Sequence, residues 1–113
     1  MTTAKCDALE QKIKDLGLIA PRITPDSIKA KIVDVEYVKH VTKSAKVLRW
    51  CVITMENSYG VTGDPSVAVS VENDNQQVGE EVAFNNAFDR IWALEGYNLS
   101  EALYVAREAG KVV

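Results

Sequence analysis

One histidine, two cysteines and three prolines in 113 residues leave few parts from which catalysis, metal binding or disulfide bonding could be built. A nucleophile needs a base within reach, and the single histidine, His40, lies on an expected strand end, distant in sequence from every reactive group. Cys6 and Cys51 stand 45 positions apart, and the acidic residues form no calcium-type loop, so no metal set and no disulfide framework is expected. The charge also lacks a positive excess: with a formal net charge of −3, the chain is not a general binder of DNA, which needs a basic stripe. No apolar run approaches the ~18 residues of a membrane span, and the N-terminus carries no segment of signal-peptide length. The expected place is therefore the cytoplasm, with no membrane partner. Repeats, low-complexity tracts and glycine-rich phosphate loops are missing as well; Gly60, Gly63, Gly79 and Gly96 fit none of the phosphate patterns.

What the sequence does have is the composition of one compact domain, 47% hydrophobic and 26% charged. A domain this small leaves much apolar surface exposed, which favours self-association. Charge is uneven: Lys29, Lys31, Lys39, Lys43, Lys46 and Arg49 make residues 29–49 basic, and Glu72, Asp74, Glu80 and Glu81 make 72–81 acidic.

Ala4, Ala8, Leu9, Ile13 and Leu16 repeat at helical spacing, so residues 3–16 form an amphipathic helix stopped by Gly17. Its apolar stripe is thin, and residues 1–20 either rest on the domain or act as an oligomerisation arm. Thr24-Pro25-Asp26 starts a short helix with Ile28 and Ile32 facing inward. Val33, Val35 and Tyr37 alternate with Asp34, Glu36 and Val38 as a half-buried strand. Val47 to Met55 is apolar on both faces, which reads as a strand covered on both sides. Asn57-Ser58 is the expected two-residue turn. The next strand places Tyr59, Val61, Val67, Val69 and Val71 on one face, and Thr62, Asp64, Ser66, Ala68 and Ser70 on the other. Gly63-Asp64-Pro65 interrupts it with a bulge or an edge. After a polar loop, Val78 to Glu95 forms the main core helix, ended by Gly96. Ser100 caps a last helix from about Glu101 to Ala109, and Gly110 to Val113 fray. The whole is one domain over 1–113 of α+β class: an antiparallel meander of about three strands packed with a long helix in the C-terminal half, plus the N-terminal amphipathic helix.

The polar group that stands out is Asn85-Asn86, since two successive asparagines do nothing for helix propensity. Asn86 and Arg90 are i, i+4 neighbours, as are Asn85 and Asp89; such pairs read a base edge or hold a phosphate, or else make surface hydrogen bonds. Trp92 and Tyr97 offer rings for stacking or for packing.

The run Asn57-Ser58-Tyr59-Gly60-Val61-Thr62-Gly63-Asp64, then Val78-Gly79, Ala83, Asn86-Ala87 and the segment from Ile91 to Leu99, resembles a small phage-protein family. That family is typified by gene 49 of phage N4 and gene 66 of phage Sf6. Its members read N-G-F-x-V-T-G-E-S in the hairpin, then E-I-G, E-N-A and K-I-W-x-L-E-G-Y-x-L, and the helix start at Thr24-Pro25 also fits. The likeness spans residues 24–99. Ser58 departs from the usual turn glycine, Pro65 follows Asp64 where the family tends to Ser-Ala, and Phe84 stands where the pattern tolerates charge, as a ring offered to a base or as more core.

The resemblance implies a phage origin and no enzymatic activity. The chain is similar in size and element order to Thoeris anti-defence protein one, a sponge for cyclic ADP-ribose signals whose relatives take up cyclic oligonucleotides as symmetric oligomers. On that likeness a cyclic nucleotide-type ligand would sit between subunits of an even-numbered homo-oligomer, a dimer or hexamer, with no cofactor. Asn86 would give hydrogen bonds and Arg90 a phosphate or ribose contact, with Thr62, Asn57 and Phe84 as further ligand residues. The alternative is a module that docks a host or phage protein.

Overall fold

The computed structural model describes residues 3–17 and 20–110, the side chains of residues 3–7 excepted. Helix α1 spans Thr3–Asp15 and α2 Pro25–Lys29. Strands β1 (Ile32–Val41), β2 (Val47–Met55), β3 (Gly60–Thr62) and β4 (Ser66–Val67) follow, and α3 runs over Gln76–Ala109. The sheet is antiparallel, with β1 and β3 on either side of β2 and β4 continuing the β3 side of β2. The class is α+β, as the periodicities require. The expected fraying at 111–113 lies outside the described residues.

Local chemistry accounts for the helix ends. Gly17 takes φ +70° and donates its N–H to the Lys14 carbonyl, the left-handed stop that glycine adopts without Cβ cost. Thr24 caps α2 by accepting the Ser27 N–H while the Ser27 hydroxyl oxygen accepts the Thr24 N–H, a reciprocal box with Pro25 in the first turn. Asn75 caps α3 through Val78 N–H.

The core is one layer thick. Cys51, Ile53 and Met55 of β2 and Val61 of β3 meet Ala83, Ala87, Phe88 and Ile91 of α3, and Ile28 of α2 closes one end. Two alanines let the helix axis approach the sheet, and Phe88 and Ile91 fill the space beside them, each worth about 1.5–3 kcal/mol of burial.

Several expectations need correction. Helix α3 lies over β2, β3 and β4 and leaves β1 uncovered, so residues 33–41 are exposed throughout, where a half-buried strand is expected. β2 is likewise buried on one face only: Arg49, Cys51, Ile53 and Met55 point to the helix, and Leu48, Trp50, Val52 and Thr54 stay half-buried on the face away from α3. The hairpin turn is Glu56-Asn57-Ser58, three residues long, because Met55 donates to Tyr59 O, Ser58 donates to Met55 O and Ser58 sits at φ 72°. The same geometry recurs at Lys43-Ser44-Ala45, with Ala45 at φ 65°. Val61 pairs with Ile53 and Ser66 with Arg49, so five steps along one strand match four along the other. The extra residue at Gly63-Asp64-Pro65 flips the side-chain parity, burying Ser66 and turning Val67 out. Finally, α3 does not end at Gly96. It runs for 34 residues in all, through Gly96 and Ser100, because good helix formers on both sides outweigh one solvated glycine.

Candidate functional site: clefts beside the hairpin

The loop at Gly63-Asp64-Pro65 fixes how the hairpin meets the helix. Gly63 rests against the α3 backbone at Asn86 and Ala87, where a Cβ would come within 2.4 Å of the Asn86 carbonyl carbon. Asn86 Nδ2 donates to Asp64 O at 3.0 Å, tying the loop to the helix. Two clefts open where β3 and the hairpin tip run beside the C-terminal part of α3.

The larger, about 460 Å³, is lined by Tyr59, Gly60, Val61, Thr62, Arg90, Ala93 and Leu94. The smaller, about 250 Å³, is lined by Lys31, Met55, Glu56, Asn57, Tyr59, Val61, Ile91, Leu94, Glu95 and Asn98. Tyr59, Val61 and Leu94 belong to both, and the Tyr59 ring, 58% exposed, stands between them. In the smaller cleft Lys31 Nζ donates to Glu95 Oε2 at 2.7 Å, and the two charges cancel. Asn57 spends its Oδ1 on the Tyr59 N–H at 3.0 Å, which shapes the turn. Arg90 is exposed and makes no hydrogen bond or ion pair among the described residues, so its guanidinium fork is uncommitted.

The residues picked from the sequence therefore divide. Thr62 and Arg90 line one cleft and Asn57 the adjoining one. Asn86 is one turn from Arg90 on the same flank, with its amide given to the Asp64 carbonyl. Phe84 is six residues from Arg90, ~120° around the helix at ~100° per residue, and packs on Phe88 with ring centroids 5.8 Å apart. It is therefore a flank of the core, not a wall of either cleft. Trp92 extends the same row, 6.5 Å from Phe88. The clefts also take in Tyr59, Lys31, Glu95 and Asn98. Tyr59 shares strand parity with the buried Val61, which suggests an inward ring, but the sheet ends at the hairpin and leaves it open. The signal available for it is an aromatic directly after a turn.

Away from these clefts, Arg49, Ser66, Asp74 and Gly79 line a further one of about 480 Å³. Burial pushes the Cys51 thiol up to about 11, against the lowering effect of the Tyr37 hydroxyl beside it. Among the described residues no three potential metal ligands gather, and no helix is long and apolar enough to cross a membrane.

The pattern of the Phage protein (N4 Gp49/phage Sf6 gene 66) family matches residues 23–103. The chain belongs to this phage family. The matched region starts just before α2 and ends within the last turns of α3, so the sheet, the core and both clefts lie within it. Comparison with curated proteins finds no match, nor does comparison with solved structures.

Proposed function

We propose that this phage protein is a non-catalytic anti-defence protein that binds and sequesters a cyclic nucleotide-type immune signal, a cyclic ADP-ribose isomer or a cyclic oligonucleotide, in the host cytoplasm. The observation that carries the reading is the uncommitted Arg90 guanidinium in one cleft with the open Tyr59 ring and the Thr62 hydroxyl. A fork for phosphate, a ring for a base and a hydroxyl for ribose are the donor set that a nucleotide needs. The cleft volume of about 460 Å³ falls in the range of small-molecule sites. Sequestration requires affinity and copy number only, with no bond made or broken. An open cleft covers one side of a ligand, and the even-numbered homo-oligomer, dimer or hexamer, supplies the other side in this reading.

Calorimetry against cyclic ADP-ribose isomers and cyclic di- and trinucleotides tests it. Heat is expected with one of these classes, and Arg90→Ala or Tyr59→Ala should weaken it at least tenfold; absence of heat with every one removes the idea. A second reading, docking of a host or phage protein, draws on the end of α3, where Leu103, Tyr104 and Val105 are about half exposed beyond the core. A stoichiometric protein partner whose capture is indifferent to Arg90→Ala would favour it.

A further inference from the structure

The inward face of β2 carries the apolar Cys51, Ile53 and Met55 and, toward its other end, Arg49, a charged residue only 5% exposed. Its neighbour across the ladder to β4 is Ser66, 7% exposed, whose hydroxyl is buried and finds no hydrogen-bond partner among the described residues. Helix α3 meets this pair at Gly79. A Cβ there would lie 2.9 Å from Arg49 Nη1 and 3.3 Å from Ser66 Oγ, so the guanidinium and the hydroxyl stand side by side beneath a helix position that has no side chain. The fold does not require such a group at this place. Apolar residues are often as stabilising as a buried ion pair, and an orphaned hydroxyl adds a desolvation cost. Both residues line the cleft of about 480 Å³, a small-molecule volume, whose walls include Val69, Val78 and Val82, all exposed.

The group that the guanidinium accepts is already visible. Nη1 and Nη2 donate to the two oxygens of Asp74 at 2.5 and 3.1 Å, a bidentate fork on a carboxylate in the loop that leads into α3. Asp74 is the more exposed partner, 21% against 6%, and the Lys39 charge acts on it, so it can leave the fork for water and a second cation. We infer that Arg49 and Ser66 bind the carboxylate of a small organic acid in exchange for Asp74, with the apolar chain of the acid lying along the valines. The entering oxygens give the Ser66 hydroxyl the acceptor it lacks. One negative charge suits this place better than a phosphate dianion, because the displaced Asp74 and Glu80, whose charge also acts on Arg49, remain beside it. The cleft shares no lining residue with the Arg90 cleft, and the inference is independent of the nucleotide reading.

Calorimetry of the full chain with octanoate, octanol and inorganic phosphate tests this, with circular dichroism to establish that each variant is folded. Octanoate should bind, and octanol and phosphate at least tenfold more weakly. Asp74→Ala, which vacates the fork, should bind octanoate at least tenfold more tightly than the unaltered chain. Gly79→Ala should fold, since the flexible end of Arg49 can shift, and should lose binding because its methyl enters the space beside the guanidinium and the hydroxyl. Arg49→Met should lose it as well, and Ser66→Ala should weaken it severalfold while leaving the fold at least as stable, because an orphaned hydroxyl is removed. An unaltered chain that takes up no octanoate, with no gain in Asp74→Ala, overturns the inference. Binding that octanol or phosphate matches overturns it too, and so does binding that survives both Arg49→Met and Gly79→Ala. None of these results bears on nucleotide binding at Arg90, which its own calorimetry decides.

Discussion

Gly63→Ala is the substitution whose consequence follows most directly from the geometry. The new methyl would lie 2.4 Å from the Asn86 carbonyl carbon, 2.5 Å from its oxygen and 2.6 Å from the Ala87 nitrogen. Ordinary carbon contacts are ~3.5–4.0 Å, so the loop and the helix must separate by about 1 Å. All three atoms are helix backbone, which cannot swing aside as a side chain would. Overpacking of this kind costs about 1–3 kcal/mol, and stretching the Asn86 to Asp64 hydrogen bond adds about 1 kcal/mol, giving roughly 2–4 kcal/mol in all. At about 4 °C per kcal/mol for a domain near this size, Tm falls by roughly 8–16 °C. Urea or thermal unfolding followed by circular dichroism measures it, with Gly60→Ala as the control, since nothing lies within 4 Å of its added methyl. The same shift moves Thr62 away from Arg90, so any ligand affinity should fall at temperatures where the variant is still folded. If Gly63→Ala unfolds within about 0.5 kcal/mol of the unaltered chain, the hairpin does not approach α3 as described, and the cleft built on that approach goes with it.

Gly96→Ala tests the continuity of α3 and should stabilise by about 0.5–1 kcal/mol, because Gly96 is a solvated helix-interior position; a helix that stopped there would be destabilised instead. Ser58→Gly and Ala45→Gly should each stabilise by about 0.5–1 kcal/mol in denaturant titrations, since both residues hold a left-handed conformation that costs an L side chain about 1–2 kcal/mol. Arg49 donates to Asp74 at 2.5 and 3.1 Å, holding that carboxyl below its usual range. The pair's contribution is present above the unfolded carboxylate pKa and lost as pH falls through the lower folded value. Asp74→Asn should therefore be less stable at neutral pH, with the gap closing below about pH 4 in acid-unfolding curves. In a Cys6→Ser background, Cys51 should resist a thiol reagent at pH 8 in the folded protein and react at once in denaturant, because its thiol is buried and pushed up to about 11.

Sequence pattern alone determined the class, the strands over residues 33–38 and 47–55 and the caps at Thr24 and Gly17, because these depend on neighbours within a few positions; it placed Ile32 on α2 and extended the third strand to Val71, where the structure has Ile32 in β1 and strand only at 60–62 and 66–67. Helical spacing also set Arg90 beside Asn86, whereas Thr62 and Asn57 came into view only through the family resemblance. Four outcomes were decided only in the folded chain. Helix α3 settled on β2 and not on β1, since Ala83 and Ala87 allow close approach where Cys51 and Ile53 lie, and burial is a property of the partner as much as of the strand. The extra residue at Gly63-Asp64-Pro65 reversed the faces after Val61, a parity that no alternation of valine and serine reveals. Gly96 stayed helical because the turns around it supply the cooperativity that a single residue lacks. Tyr59 became the ring between the clefts because the sheet ends one residue before it could be covered, and where a sheet ends is fixed by what packs on it.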